Sequence, residues 1–328
     1  MSGFDHWHPV LKSIELKSQP ISVTLNGKKI VIFRNENGIL GALDDACPHR
    51  RMALSEGNIK NGRITCIYHG MSFDINGNGE SPGTADCKIS AQKWDCKEMY
   101  GAIWIKSTDS SPVFPHFNIE GFHLLEISHY VIKAPLEIVL DNFTEVEHTP
   151  NVHAFLGYDP DRMKEVTIET QTEDYSVKIK NIGPQKKLPT IFRYILNLKK
   201  DDLLVDEWTT FFSPIYTVYD QYWIDSESKH PRRNCLRIFA FFNPIGDNEV
   251  QLIAFTYMKY EPFSNLGLNL LIKPAIQQIV KLEILRDKEI LEKISDKNPN
   301  ISGMKLTRFD RSLGPNRKRI QKIYRGEI

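Results

Sequence analysis

Two short arms of this 328-residue chain set cysteine and histidine side by side: Cys47-Pro48-His49 and, after sixteen intervening residues, Cys66-Ile67-Tyr68-His69. Thiolate and neutral imidazole are soft and borderline metal ligands. Zinc would take all four tetrahedrally, whereas a 2Fe-2S cluster of mixed ligation places two thiolates on one iron and two imidazoles on the other. Zinc motifs usually pair like with like, Cys with Cys and His with His. Here each arm mixes the two types, which suits a cluster that each arm straddles. Exchanging two thiolates for neutral imidazoles makes the cluster less negative and raises its potential, so it can accept single electrons from a ferredoxin and pass them on. The remaining cysteines, Cys87, Cys96 and Cys235, have no ligand spacing and read as packed thiols.

A second dense run of ligand-type side chains is Asp141-Asn142-Phe-Thr-Glu145-Val-Glu-His148-Thr-Pro150-Asn-Val-His153. On a helix Glu145 and His148 share a face. His148 and His153 would diverge by roughly 140° on an unbroken helix, so Pro150 is expected to end the helix and swing His153 back. Two histidines need one carboxylate to complete the facial triad that leaves positions open on non-haem Fe(II). A late helical segment offers Glu283 and Asp287, near the centre of a stripe formed by Ile279, Val280, Ile290, Leu291 and Ile294. A carboxylate on an apolar stripe calls for a metal or a buried salt bridge, and periodicity alone leaves both open. Glu120-x2-His123 and Glu126-x2-His129 repeat the Glu-x2-His string, but in a strand-like segment that points the two side chains to opposite faces.

The elements that must position these residues fall into two parts. From Ile21 to about Ile105, short β-branched and aromatic runs are cut by Asn26-Gly27 and Asn76-Gly77, as in an all-β unit of hairpins. The polar, proline-punctuated stretch Ser107–Pro115 reads as a linker. Beyond it come an extended segment from Phe122 to Ile132 and a helix from Leu136 to about His148. Strand-like runs follow at Glu207 to Val218, Cys235 to Phe242 and Val250 to Tyr260, then a helix from about Ala275 to Lys293 and a basic tail, Arg311 to Arg325. That order predicts an α+β fold with an antiparallel sheet and a helix on one face. Phe255, Tyr257 and Met258 are candidates to line a pocket, with their face unassigned.

Composition narrows the partners. Forty-two Lys+Arg against 41 Asp+Glu leave a formal charge of +1, without the basic field that draws proteins to nucleic acid. No apolar window is long enough for a membrane span, and the opening residues carry no secretory pattern. The expected location is cytoplasmic, and no nucleic acid or membrane partner is expected.

Cys47-Pro-His49-Arg50 with Cys66-Ile-Tyr-His69-Gly70-Met-Ser-Phe-Asp74 resembles the Rieske signature of the ring-hydroxylating and demethylating oxygenases, with Met71 where Trp is usual. Tyr100-Gly-Ala-Ile-Trp104-Ile is similar to the strand that closes their Rieske domain. Asn142-x2-Glu145-x2-His148-x4-His153 is similar to their iron-binding motif, and Asp287-Lys-Glu-Ile-Leu-Glu292 to the late-helix segment that supplies the third ligand. The resemblance implies a Rieske 2Fe-2S domain over residues 1–110 and a helix-grip catalytic domain over 111–328. It implies cluster ligands Cys47, His49, Cys66 and His69, and mononuclear Fe(II) on His148, His153 and Asp287, with Glu283 in reserve. Asn142 and Glu145 would be the catalytic pair, Glu145 bridging electron transfer from a neighbouring subunit's cluster. Most members carry Asp there and some carnitine-type members Glu.

The tail from Asp310 resembles the basic end of the shorter, homotrimeric mono-oxygenases and demethylases. A homotrimer is therefore expected, using O2 and electrons from a separate ferredoxin or flavin reductase to hydroxylate or demethylate a small molecule. The competing readings are a Rieske carrier fused to a lipid- or small-molecule-binding domain without oxygenase activity, and a zinc-stabilised binding module.

Overall fold

The computed structural model describes residues 3–190, 193, 196, 198–259 and 268–326. The chain divides into two compact units, Met1–Pro115 with Asn243–Gly246, and His116–Phe242 with Asp247–Ile328.

The first unit holds ten strands: β1 (His8–Lys12), β2 (Ile21–Leu25), β3 (Lys28–Arg34), β4 (Leu40–Asp44), β5 (Asn58–Lys60), β6 (Arg63–Thr65), β7 (Ser72–Phe73), β8 (Gly79–Glu80), β9 (Trp94–Met99) and β10 (Ala102–Ser107). They form three antiparallel sheets in the orders β1-β10-β9, β2-β3-β4 and β5-β6-β7-β8. Asn26 (φ 46°) and Gly27 (φ 77°) make the two-residue turn between β2 and β3. Positive φ at both positions matches the twist of the flanking strands, which is why Asn-Gly marks such hairpins. One apolar core, with Val31, Phe33, Leu43, Leu54, Ile64 and Phe73, also takes in the thiols of Cys47 and Cys66.

The second unit is α+β. It contains β11 (His123–Ile132), α1 (Leu136–Phe143), α2 (Thr149–Val152), β12 (Thr167–Thr172), β13 (Ser176–Pro184), β14 (Leu203–Phe212), β15 (Ile215–Ile224), β16 (Pro231–Gly246, of which Asn243–Gly246 count with the first unit) and β17 (Glu249–Lys259). Among the described residues two further named helices follow, a long α3 (Leu268–Lys293) and a C-terminal α4 (Leu313–Tyr324). The seven strands form one sheet in the order β11-β17-β16-β15-β14-β13-β12. Helix α3 packs on β11, α1 and α2, and α4 packs on α1 and β14. Among the described residues no helix is long and apolar enough to cross a membrane.

Several expected boundaries move. The helix expected to reach His148 stops at Phe143, because Thr144 leaves helical geometry (φ -127°, ψ 26°) and its Oγ1 donates to Leu140 O at 2.7 Å. A side chain that competes for the backbone in this way ends helices. His148 instead caps α2, and Pro150 sits in the first turn of that helix, where its missing N–H costs nothing. The expected single run from Glu207 to Val218 is a hairpin, with Phe212 and Ile215 paired across Ser213-Pro214. Helix α3 begins before Ala275, at Leu268. Tyr260, expected to end the last strand, lies outside the described residues. The basic tail is helix α4, whose Arg317 is buried.

Candidate functional site

In the first unit the two arms are near copies of one loop. Cys47 N donates to Met52 O (2.8 Å) and Arg51 N to Cys47 O (2.7 Å). Likewise Cys66 N donates to Met71 O (2.8 Å) and Gly70 N to Cys66 O (3.0 Å). The residue four places after each cysteine is left-handed, Arg51 at φ 59° and Gly70 at φ 70°. Each loop thus buries its cysteine and turns its histidine outward, with the two thiols 1% exposed and the His49 and His69 ring centroids 4.5 Å apart. Burial raises the Cys47 thiol above its ordinary value, and the neighbouring Cys66 adds to the effect. Two thiols on one side and two imidazoles on the other form the donor set of a mixed-ligand 2Fe-2S cluster.

In the second unit His148, His153 and Asp287 converge, each offering one ligand atom within 4.8 Å of the others. The break at Thr144 and the short α2 bring the two histidine rings to 5.1 Å between centroids. His153 Nε2 lies 3.0 Å from Asp287 Oδ1 and His148 Nε2 lies 3.3 Å from the same oxygen. Asn142 Nδ2 donates to it as well, at 3.2 Å. Glu145 hydrogen-bonds His148 Nδ1, the outer contact that fixes the tautomer of a metal-binding imidazole. His148 Nε2 is buried without a hydrogen-bond partner, as is His153 Nδ1, so the cluster has unused ligand capacity turned inward.

The electrostatics reflect this crowding. Burial opposes a charge on His148, but Asp287 and Glu145 outweigh it and push the imidazole up to about 10. Burial likewise opposes the Asp287 charge, yet both histidines hold its carboxyl well below the usual carboxylate range. A cation bound here would displace the proton that the carboxylates hold on His148.

Glu283, the reserve ligand, has a different occupation. Its Oε1 accepts from Ala154 N (3.1 Å) and Phe155 N (2.9 Å), clamping the backbone that follows His153. Lys186 Nζ binds the carbonyls of the same loop, including His153 O at 2.6 Å. Gly157 (φ 112°) lies where a Cβ would stand 2.5 Å from Thr149 Oγ1. Neither Lys186 nor Gly157 carried a signal in the sequence, because nothing local ties them to the histidines. On α3, Val280 and Leu291 are buried with Glu283 and Asp287, whereas Ile290 is 42% exposed and falls off the stripe.

A cavity adjoins the triad, lined by Asn142, Glu145, His148, His153 and Asp287 together with residues of strands β14 to β17. The β17 residues facing it are Leu252 and Ala254. Phe255 and Tyr257, expected in the pocket, have the opposite parity and pack beside Phe117, while Met258 lines an apolar recess next door.

Comparison with known proteins bears on the first unit most directly. Residues 6–91 match the Rieske [2Fe-2S] domain. The chain carries a Rieske [2Fe-2S] domain. Across 153 residues it is 31% identical to chlorophyllide a oxygenase, chloroplastic, of Arabidopsis thaliana, covering 45% of this chain and 28% of that protein. It is 30% identical over 175 residues to methylxanthine N1-demethylase NdmA of Pseudomonas putida, covering 47% of this chain and 48% of that protein. These matches thus span less than half the length of either relative. The fold matches dicamba monooxygenase bound to 3,6 dichlorosalicylic acid with a TM-score of 0.80 at 16% identity, covering 98% of this chain and 97% of that one. The all-β Rieske unit, the α+β second unit and the family resemblance are therefore as expected from sequence.

Proposed function

We propose that this Rieske-family chain is a mono-oxygenase that uses O2 and electrons from a separate ferredoxin or flavin reductase to hydroxylate or oxidatively demethylate a small organic molecule. The observation that carries the reading is the His148, His153 and Asp287 cluster at the edge of a cavity, in a chain that also has a Rieske domain. Cys47, His49, Cys66 and His69 would hold the 2Fe-2S cluster, and His148, His153 and Asp287 a single Fe(II). When bound, these groups supply one-electron transfer and a metal site with open positions for oxygen.

The protein's own residues do the positioning. Glu145 holds the Nδ1 proton of His148, which leaves Nε2 as the ligand atom and makes the ring a stronger donor. Asn142 keeps Asp287 Oδ1 aimed between the histidines. Glu283 and Lys186 fix the loop that presents His153. The cavity wall, largely Leu236, Ile238, Ala240, Leu252 and Ala254, excludes water from the substrate side.

A homotrimer suits this division of labour, because a neighbouring subunit's cluster could then approach Glu145, and the resemblance of the C-terminal segment supports it. The cytoplasm is the proposed location, and neither nucleic acid nor a membrane is a proposed partner. The test is oxygen uptake by the iron-loaded protein with a surrogate reductase, together with a substrate-depletion screen. Uptake coupled to a product carrying one added oxygen atom supports the reading. A reducible cluster with neither bound mononuclear iron nor oxygen uptake would identify an electron carrier instead.

A further inference from the structure

The strand wall of the cavity carries three polar atoms that no hydrogen bond in the protein satisfies. Asp206 and Trp208 are two residues apart on β14, and Gln221 and Tyr219 sit directly across from them on β15. Side chains two apart on a strand share a face, and all four line the cavity. Tyr219 Oη is occupied, donating to Phe143 O. Gln221 Nε2 donates to Asp206 Oδ2 at 3.3 Å. The other atoms of this set, Asp206 Oδ1, Gln221 Oε1 and Trp208 Nε1, are buried without a hydrogen-bond partner. An orphaned buried polar atom is costly because it has given up water for nothing, so three side by side call for a ligand.

The charge around them defines that ligand. Four carboxylates line the cavity, those of Glu145, Asp206, Glu283 and Asp287, and among the described lining residues there is no Lys or Arg. A carboxylate substrate placed against Asp206 would meet its negative charge, with no Lys or Arg among the described lining residues to offset it. Burial pushes Asp206 up to about 6, against the pull of Gln221 and the two histidines, so a donor delivered by a substrate would relieve a real penalty. Beyond Leu156, Leu236 and Val280, which line both spaces, lies the apolar recess bounded by Leu188, Trp223 and Met258.

We propose that Asp206, Gln221 and Trp208 are specificity-determining residues that select an amide-like substrate, whose N–H is taken by Asp206 Oδ1 and Gln221 Oε1 and whose carbonyl is taken by Trp208 Nε1, and that they reject free carboxylates. The body of such a molecule is apolar and fills the recess. The inference rests on the reading of this cavity as the oxygenation site, and it concerns binding alone.

Benzamide and benzoate are close in shape and differ in the group that matters, so they are the probes. Their affinities for the iron- and cluster-loaded protein are compared by ligand-observed NMR. Benzamide should bind at least about tenfold more tightly than benzoate, the equivalent of one well-made hydrogen bond. Asp206→Asn and Trp208→Phe should each weaken benzamide by about tenfold, and Asp206→Asn should also improve benzoate, while iron content and the visible spectrum stay unchanged. Trp208→Phe keeps the aromatic volume, so it serves if Asp206→Asn fails to fold. Benzoate binding as tightly as benzamide, no benzamide binding, or unchanged preference in a folded variant overturns the inference. Failure of the wild-type protein to hold mononuclear iron overturns the oxygenase reading itself, and is measured separately.

Discussion

Glu283 and Asp287 stand one turn apart on α3, and they divide the task of building one site: Asp287 faces the imidazole nitrogens of His148 and His153, while Glu283 binds the backbone N–H groups of Ala154 and Phe155. The two substitutions should therefore separate. Asp287→Ala should abolish tight iron binding and leave the cluster spectrum intact. Glu283→Gln keeps an acceptor for those amides and should retain iron, with affinity weakened about 10-fold, as is usual when an outer contact is loosened. Iron analysis after a chelator challenge separates the two. If Asp287→Ala retained iron and Glu283→Gln lost it, the assignment of ligand and clamp would have to be exchanged.

Glu145 touches the protein through His148 Nδ1 and the nearby backbone N–H groups of Glu147 and His148. Glu145→Gln preserves the shape and can still accept from His148 Nδ1. Iron should remain bound and cluster reduction should be normal. Turnover is expected to fall by about 10- to 100-fold, the usual consequence of altering an outer carboxylate. Stopped-flow reduction of the cluster, read beside steady-state oxygen uptake, localises the defect. Equal losses in both would argue against a role for Glu145 after cluster reduction.

The two cluster arms make an internal control. Arg51 and Gly70 occupy the same left-handed position in their loops, where glycine is unstrained and a β-branched residue is not. Arg51→Gly should leave the Rieske visible spectrum and its bleaching on anaerobic reduction unchanged. Gly70→Val should lose the spectrum, as should Cys47→Ser. Substituting serine at Cys87, Cys96 or Cys235 should not. A spectrum surviving Cys47→Ser would remove that residue from the ligand set.

Much of this was legible because chemistry concentrates in short motifs. Both Cys/His arms, the Glu145 to His153 run and the buried pair on α3 are local patterns, and a 3.6-residue period brings Glu283 and Asp287 to one face without any tertiary knowledge. What the sequence concealed is non-local. The turn at Thr144 depends on a side chain choosing Leu140 O over solvent, and propensity does not predict that choice. Alternation along β17 limits the possibilities to two faces, but only pairing with β11 and packing against Phe117 decide between them. Asp206, Trp208 and Gln221 belong to two strands whose dividing turn was hidden in an apparently continuous run. Their convergence is therefore a property of register.

The basic C-terminal segment also changed meaning, since α4 braces α1, the helix that carries Asp141 and Asn142. Arg317 pairs with Asp141, and Ser312 and Asn316 hydrogen-bond the buried Thr144. Burial pushes the Asp141 carboxyl up to about 6, even with Arg317 pulling it down. Removing the cation should leave a buried carboxylate unpaired, at a cost of about 3 kcal/mol. Arg317→Ala should therefore lower the melting temperature, and the loss should depend on pH in a definite sense. In the variant the folded-state pKa of Asp141 lies further above its unfolded value near 3.8, so the folded state holds the proton more tightly than the unfolded chain. Its stability falls as pH rises through that interval. The melting-temperature gap between variant and wild type should be larger at pH 8 than at pH 5.5, as read by calorimetry in matched salt. A gap independent of pH would mean that Arg317 acts through packing of its side-chain stem and not through its charge.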